Sequence, residues 1–567
     1  MVRSAFLPAG VEIKYNVRIP MRDGVHLSAD IYFPRDGQGP WPVVLLRTPY
    51  DNMTDNLVDE AIFYAQHDYV YVAQDVRGRH DSDGQFYPWV NEFIDGHDTI
   101  EWIGIQPWCD SNVGMVGSSY AGNVQWQAAI EGSPYLKTII PRVIGHNLYE
   151  APHYQGGAFQ LGWTATWVYR TDGRTSQSID RHNWAHIFST LPLHDLDKNG
   201  GKEIPYLHDW ISHPDYDEYW KALAVEERYR DVTIPVFSIG GWYDFFSIGT
   251  LHNFAEMRKR GGSDAARLHQ SVLIGPWVHR ACTFTHAGEI DFGEDSLLNL
   301  RYIELGWMDR WLKGLHNSSY QSAPARIYVM GINQWRDEQE WPLARTTYTP
   351  FYLHSNGSAN SLRGDGILST QSPESEPADR YVYDPAFPAP TRGGSTCCNP
   401  EIIPYGAYDQ RSIEAQNDVL VYTSEPLPDD IEVTGPVIAT LYASTSGRDT
   451  DFTAKLVDVG PDGYAVNLCD GIIRGRYRKA REHQTLLEPN TIYQFTINLG
   501  PTSNVFLRGH RIRVDIASSN FPRFDRNLNT GHTFGESVEM RVANQQVFHD
   551  QANPSQILLP IIPKFTG

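Results

Sequence analysis

Residues 113–122, Val113-Gly-Met-Val-Gly-Ser-Ser-Tyr-Ala-Gly122, are the stretch of sequence that decides the fold. A short apolar run enters a group of small residues, and a helical pattern follows from Ala121 to Ile130. This order predicts a strand, a sharp turn and a helix, with a serine at the turn. A nucleophilic serine in such a turn has strained backbone geometry, so the residues two before and two after it must be small.

The size requirement distinguishes between the two serines of this stretch. Ser119 has Gly117 and Ala121 at the two critical positions, whereas Ser118 would have Val116 and Tyr120, which should clash. Ser119 is therefore the predicted nucleophile. Because Ala121 replaces the second glycine of the G-x-S-x-G pattern, the motif alone leaves an ordinary strand-to-helix turn open as an alternative.

The regions on either side predict an α/β domain. A β-hairpin spans residues 11–33, and helical segments alternate with the apolar strands Val43–Leu46, Tyr69–Ala73, Asn112–Gly117, Ile234–Ile239 and Ser271–Ile274. Such alternation is typical of a parallel sheet with helices on both faces. Between these strands, residues 146–230 are rich in tryptophan and helix-like, which indicates a helical lid inserted at the ligand-binding edge of the sheet.

The chain beyond residue 345 has a different character. Short strands separated by turn signals predict an antiparallel β jelly roll, and the Ser/Gly/Pro-rich residues 355–400 are expected to form long loops. The predicted division is an α/β-hydrolase domain over residues 1–145 and 231–345, a helical lid over 146–230, and a β jelly-roll domain over 346–567.

A serine hydroxyl needs a base, and the base needs a carboxylate that orients it. In α/β-hydrolases these groups follow the serine in the order acid, then histidine. Asp244 and His279 each follow a predicted strand, in the turns Gly240-Gly-Trp-Tyr-Asp244 and Gly275-Pro-Trp-Val-His279. His252 and His286 are rival bases, but the first lies in a predicted helix and the second lies further from a strand end.

The oxyanion of the reaction needs hydrogen-bond donors. The backbone N–H of Tyr120, the residue after the nucleophile, is one candidate. Tyr50, in the loop after an early strand, is a second through its phenol. The local sequence alone leaves Tyr50 equally explained as a packed loop tyrosine.

Composition narrows the possible partners. Lys plus Arg is 47 and Asp plus Glu is 68, a net charge of −21, which argues against nucleic acid and against an anionic membrane surface. No apolar run is long enough to span a bilayer.

The N-terminal ten residues lack the apolar region of a secretory signal, and the five cysteines are expected to be buried or incidental thiols without zinc spacing. A cytoplasmic enzyme with no metal or organic cofactor is expected.

The chain resembles the cocaine esterase and glutaryl-acylase group of serine hydrolases, which also includes X-Pro dipeptidyl-peptidases and α-amino-acid ester hydrolases. The matching blocks are Arg47-Thr-Pro-Tyr50, Asp75-Val-Arg-Gly78, Asp98-Thr-Ile-Glu-Trp102, Gly117-Ser-Ser-Tyr120, Gly241-Trp-Tyr-Asp244, Gly275-Pro-Trp277 with His279, and Gly509-His-Arg-Ile-Arg-Val514. The resemblance implies a triad of Ser119, Asp244 and His279, and an oxyanion hole of Tyr50 and Tyr120. It also suggests a possible homo-oligomer.

For the substrate we expect a small ester or amide with an uncharged, bulky or aromatic acyl group. Phe246 matches an acyl-pocket position of the cocaine esterase type, and Trp163 and Trp167 of the lid could join it, although core packing explains those two equally well. Phe245-Phe246-Ser247 carries no charge, which disfavours an α-amino acyl group. Glu92 and Asp95 are expected to be solvated.

Two further functions stay open at this point. One is an acyltransferase or a β-lactam-type acylase that uses the same triad, and the other is a catalytically silent hydrolase fold used for binding.

Overall fold

The computed structural model of the chain describes residues 10–35, 39–315 and 323–563. The N-terminal residues 1–9, on which the expectation of no secretory signal depends, lie outside this range.

Strands and helices alternate through the first 340 residues and give way to strands beyond them. The strands β1 to β14 are Val11–Pro20, His26–Pro34, Trp41–Thr48, Val70–Asp75, Cys109–Ser118, Leu136–Arg142, Tyr154–Gln155, Ala158–Phe159, Val236–Gly241, Gln270–Gly275, His286–Ala287, Ile290–Asp291, Ala325–Val329 and Gln334–Glu338. The strands β15 to β25 are Thr347–His354, Ile367–Ser369, Asp379–Tyr383, Leu420–Thr423, Ile431–Thr445, Asp451–Val459, Ala465–Arg474, Tyr493–Phe506, Arg511–Ala517, Ala543–Phe548 and Gln556–Ile562. The helices α1 to α11 are Asp55–Ala65, Glu92–Gly104, Tyr120–Glu131, Leu161–Thr171, Trp184–Phe188, Pro205–Ser212, Glu218–Lys221, Ser247–Arg260, Asp264–Leu268, Leu300–Leu312 and Arg411–Glu414.

A ten-stranded sheet forms the centre of the first part, in the order β1-β2-β4-β3-β5-β6-β9-β10-β13-β14. The strands from β4 to β13 in this order are parallel, and antiparallel pairs flank them at both ends. Strands β4, β9 and β10 are buried at every position, as expected of parallel strands covered on both faces by helices. The predicted α/β-hydrolase fold is confirmed.

Four of the predicted site residues follow parallel strands. Tyr50 follows β3, Ser119 follows β5, Asp244 follows β9 and His279 follows β10. Because parallel strands point the same way, these loops emerge at one edge of the sheet, where ligands bind in open α/β folds.

The segment between β6 and β9 covers this edge, and its main elements are the helices α4 to α7. It is tied to the sheet by Arg79, whose guanidinium is buried and donates to the carbonyls of Pro49 (2.9 Å) and Thr171 (2.6 Å). The predicted helical insertion is therefore present, with a short hairpin of β7 and β8 at its start.

The C-terminal part is an eleven-stranded, largely antiparallel sheet built from β15 to β25. The expectation of long loops over residues 355–400 is wrong in part, because Ile367–Ser369 and Asp379–Tyr383 are strands of this sheet. In Asp379–Tyr383, buried and exposed residues alternate. Its short length and the turn-forming residues around it conceal that pattern.

The chain passes from the first sheet to the second between β14, which ends at Glu338, and β15, which begins at Thr347. We propose that the domain boundary lies there, with a catalytic domain over residues 1–145 and 231–345, a lid over 146–230 and a β domain over 346–567. Among the described residues, none of the helices combines the length and apolar character that a bilayer crossing requires.

Candidate active site

Ser119 occupies the turn between β5 and α3 with φ of 60° and ψ of −122°, a conformation that non-glycine residues rarely adopt. The turn is tight on both sides. A Cβ added at Gly117 would lie 2.7 Å from the Ala121 Cβ, and one added at Gly122 would lie 2.9 Å from the Arg142 carbonyl oxygen. The strained serine is held by its own backbone, since its N–H donates to the Arg142 carbonyl at 2.9 Å. The local geometry is that of a half-buried serine on a sharp strand-to-helix turn, as in a nucleophile elbow.

The imidazole of His279 is oriented by Asp244. The His279 Nδ1 and Asp244 Oδ1 atoms are 3.0 Å apart, and the carboxylate is fully buried. With Nδ1 engaged, Nε2 is the ring nitrogen left to exchange a proton. Among the described residues no hydrogen bond joins the Ser119 hydroxyl to His279, and in enzymes without substrate such contacts are often long and tighten on binding.

Two glycine–tryptophan loops position the acid and the base. The Trp242 N–H donates to the Gly275 carbonyl (2.9 Å), and the Tyr243 N–H donates to the Trp277 carbonyl (3.0 Å). A Cβ at Gly241 would lie only 2.2 Å from the Trp277 carbonyl oxygen. The glycine is needed because the two loops pack backbone to backbone, which fixes Asp244 relative to His279.

The rival histidines lie elsewhere. His252 is in α8, where its ring packs 4.7 Å from that of His146, and burial lowers the pKa of His252 to about 4. His286 is exposed on the short strand β11, where it pairs with Asp291 of β12. Neither histidine bonds Asp244, so neither replaces His279 as the partner of that carboxylate.

Two donors lie beside Ser119. Tyr120 is the first residue of α3, a position at which a backbone N–H has no partner within the helix. The Tyr50 phenol oxygen accepts a hydrogen bond from Trp167 Nε1 at 3.0 Å and is also hydrogen-bonded with Ser119. Burial raises the pKa of the Tyr50 phenol, and these two hydrogen bonds offset part of that rise. The phenol therefore keeps its proton at neutral pH and can donate it to an oxyanion.

Aromatic rings surround these groups. Phe245 and Phe246 lie 5.4 Å and 5.6 Å from the His279 ring, and Trp163 lies 5.9 Å from Phe245. Trp163 stacks on Trp167 at 5.6 Å, so the rings form a continuous row from His279 to Tyr50. This row is uncharged and suits a bulky apolar group.

Glu92 and Asp95 are not solvated, contrary to expectation. Glu92 is 2% exposed, pairs with the buried Arg47 at 2.8 Å, and accepts a hydrogen bond from the Tyr120 hydroxyl at 2.9 Å. Asp95 is fully buried and pairs with Arg77 at 2.6 Å. Burial raises the pKa of the Glu92 carboxyl, and the adjacent Arg47 opposes that rise. Glu92 thus fixes the side chain of Tyr120, the residue that follows Ser119.

The sequence did not predict two neighbours of the site. Trp89 stacks against both Tyr120 (5.2 Å) and Trp167 (5.3 Å), although no local motif marks it. Cys397 and Cys398 of the β domain are joined to each other by a disulfide and approach His279. The expectation that all five cysteines are thiols is therefore wrong for this adjacent pair, whose chain turns with a φ of 88° at Cys398.

Among the described residues, one group of three possible metal ligands was found. It consists of His279, Cys397 and Cys398, whose ligand atoms lie within 4.8 Å of one another. The expectation that the protein needs no metal or organic cofactor stays a prediction.

Comparisons with known proteins match both parts of the chain. The model of the X-Pro dipeptidyl-peptidase (S15 family) matches residues 23–281, and that of the X-Pro dipeptidyl-peptidase C-terminal non-catalytic domain matches residues 317–558. A protein named cocaine esterase, from Rhodococcus sp. (strain MB1 Bresler), is 41% identical over 576 residues, which cover 97% of this chain and 98% of the relative.

Solved structures agree over the full length. An aminopeptidase from the marine sediment archaeon Thaumarchaeota archaeon superposes with a TM-score of 0.86 at 27% identity, covering 99% of each chain. An α-amino acid ester hydrolase superposes with a TM-score of 0.87 at 27% identity, covering 98% of each chain.

Proposed function

The chain belongs to the family of serine hydrolases that contains cocaine esterase and the X-Pro dipeptidyl-peptidases, and from that premise we propose that Ser119, His279 and Asp244 are its catalytic triad. It is a serine carboxylic-ester hydrolase. The observation that carries the proposed triad is the 3.0 Å contact between His279 Nδ1 and the buried Asp244, at the same sheet edge as the strained Ser119.

The proposed reaction proceeds through an acyl-enzyme. Ser119 Oγ attacks the ester carbonyl while His279 Nε2 takes its proton, and Asp244 holds the ring and stabilises the imidazolium. The Tyr50 hydroxyl and the Tyr120 N–H stabilise the oxyanion of the tetrahedral intermediate. His279 then gives its proton to the leaving alcohol, and a water molecule activated by the same nitrogen hydrolyses the acyl-enzyme.

The proposed acyl group is uncharged and bulky or aromatic. Phe246, Trp163 and Trp167 support this proposal through the row of rings that runs from His279 to Tyr50. One similar structure is named an α-amino acid ester hydrolase and another an aminopeptidase, but here Asp244 is followed by two phenylalanines and a serine. An ammonium beside these rings without a carboxylate partner would be costly, so an α-amino acyl group is disfavoured.

A panel of chromogenic esters tests the proposal. Benzoate, acetate and α-aminoacyl esters of one phenol, together with the matching anilides, are assayed on the wild type and on Ser119→Ala. We expect benzoate to be preferred over the α-aminoacyl ester, and the variant to lose about four or more orders of magnitude in kcat. A preference for the aminoacyl ester would contradict the proposed acyl group, and an active Ser119→Ala would contradict the proposed triad.

A cytoplasmic location and a homo-oligomer remain proposals drawn from the sequence and from the family resemblance.

A further inference from the structure

A pair of adjacent cysteines from the β domain lies against the catalytic histidine. Cys397 is 3% exposed, Cys398 is half-buried, and both sulfur atoms lie within 4.8 Å of a nitrogen of His279. The pair lies between β17 and α11 of the C-terminal part and is joined as a disulfide. The β domain thus contributes two sulfur atoms to a site otherwise built by the catalytic domain and the lid.

The oxidation state of the two cysteines determines whether they can bind a metal ion. A disulfide is a poor ligand, whereas two thiolates are strong ligands for thiophilic metal ions, and imidazole nitrogen complements them in zinc sites. In a tetrahedral zinc site with Zn–S bonds of about 2.3 Å, the two sulfurs would be about 3.8 Å apart. The present spacing of the three ligand atoms, within 4.8 Å, therefore requires only a local separation of the sulfurs after reduction.

The surroundings of His279 also suit a metal ligand. Its Nδ1 is held by Asp244 at 3.0 Å, which leaves Nε2 as the coordinating atom. Histidines that bind metals usually donate their other ring N–H to a carboxylate, which fixes the tautomer and strengthens the ligand. The Asp244–His279 arrangement that orients a general base is the same arrangement that orients a zinc ligand.

We propose that Cys397, Cys398 and His279 form a redox-gated site for a thiophilic divalent cation such as Zn²⁺, and that its occupation switches the esterase off. Reduction by a thiol or phosphine adds two electrons and two protons to the disulfide and yields two thiols, while the reductant becomes a disulfide or a phosphine oxide. Zn²⁺ then binds both sulfurs and His279 Nε2, and two protons are released. Inhibition rests on the proposed function, because the metal occupies the nitrogen that accepts the Ser119 proton.

Zinc uptake by equilibrium dialysis tests the site without relying on activity. The folded protein is reduced with a water-soluble phosphine, desalted under argon and dialysed against Zn²⁺ beside the untreated protein. We expect about one tightly bound zinc per reduced chain and none per oxidised chain. Ester hydrolysis of the reduced protein should fall at least about tenfold with stoichiometric Zn²⁺ and recover on chelation, while the oxidised protein is unaffected.

Matched variants locate the ligands. A Cys397→Ser/Cys398→Ser double variant should not bind zinc, whereas Cys109→Ser, which removes a buried thiol at the start of β5, should bind like the wild type. His279→Asn should weaken zinc binding at least about tenfold whatever its activity. Thermal unfolding of each variant checks that it is folded.

Three results would overturn the proposal. They are no zinc uptake after reduction, a pair that cannot be reduced in the folded protein, and equal uptake by His279→Asn or by the double serine variant. Failure of the proposed triad would be visible separately, as an active Ser119→Ala protein with unchanged zinc uptake.

Discussion

Replacing Tyr50 by phenylalanine removes one proposed oxyanion donor and keeps the ring. The phenol oxygen already accepts the Trp167 Nε1–H at 3.0 Å, so the hydroxyl proton is the group that remains for the substrate. Loss of one donor from an oxyanion hole typically lowers kcat by about 10²–10³-fold, which corresponds to about 2.7–4 kcal/mol. Because the oxyanion forms only in the transition state, KM should change little.

The partner Trp167 provides the matched control. Trp167→Phe leaves the Tyr50 hydroxyl in place, removes its hydrogen-bond donor and keeps an aromatic ring at this position. Loss of the hydrogen bond should cost about 0.5–1.5 kcal/mol, or about 2–13-fold in kcat. In the Tyr50→Phe background the same change should have almost no further effect on kcat, since the hydroxyl that it positions is gone. Stopped-flow measurement of the acylation burst with a p-nitrophenyl benzoate isolates the step concerned.

Two results would contradict the proposed role of the Tyr50 hydroxyl. If Tyr50→Phe stays within about threefold of the wild type in the acylation rate, the hydroxyl does not stabilise the oxyanion. A loss of the same size for Trp167→Phe as for Tyr50→Phe would instead assign the effect to disruption of the aromatic row.

Three further predictions concern selectivity, stability and pH. Phe246→Leu should lower the ratio of kcat/KM for benzoate esters to kcat/KM for acetate esters by about 2–13-fold, because it removes one aromatic contact with the benzoyl ring. An unchanged ratio would show that Phe246 does not line the acyl pocket. Glu92→Gln leaves the buried Arg47 unpaired, so calorimetry should show a loss of about 3–5 kcal/mol in stability, and a variant as stable as the wild type would contradict the importance of the pair. Burial, with a contribution from the Asp51 carboxylate, raises the pKa of Asp75 to about 8. Since that carboxyl stays protonated in the folded state and ionises in the unfolded one, its stabilising contribution is present below about pH 4 and is lost as the pH rises to about 8. Asp75→Asn stays neutral, so its Tm should decline less than that of the wild type over this range, and equal declines would show that Asp75 ionises normally.

The sequence was sufficient to predict that Asp244 and His279 lie close together, because their positions follow from strand direction. Asp244 and His279 come directly after two parallel strands, and parallel strands must end at one edge of the sheet. The sequence also predicted the tight turn at Ser119, because the small residues Gly117 and Ala121 lie two positions before and after it.

The features that the sequence did not predict depend on partners far along the chain. Glu92 resembles an ordinary charged helix start, but it is buried in a pair with Arg47 from β3. The approach of Cys397 and Cys398 to His279 depends on how the C-terminal domain docks, which no local pattern encodes. Trp167 reaches Tyr50 for the same reason, because the fold of the lid brings them together.

The most direct test of the account is the identity of the acylated residue. The protein is mixed with an activated benzoate ester, quenched in acid during the burst, digested and mapped by mass spectrometry that separates Ser118 from Ser119. We predict a benzoyl group on Ser119 that accumulates at the burst rate and is absent from Ser119→Ala. Benzoylation of Ser118 instead, or a burst that persists in Ser119→Ala, would contradict the proposed nucleophile and the triad built around it.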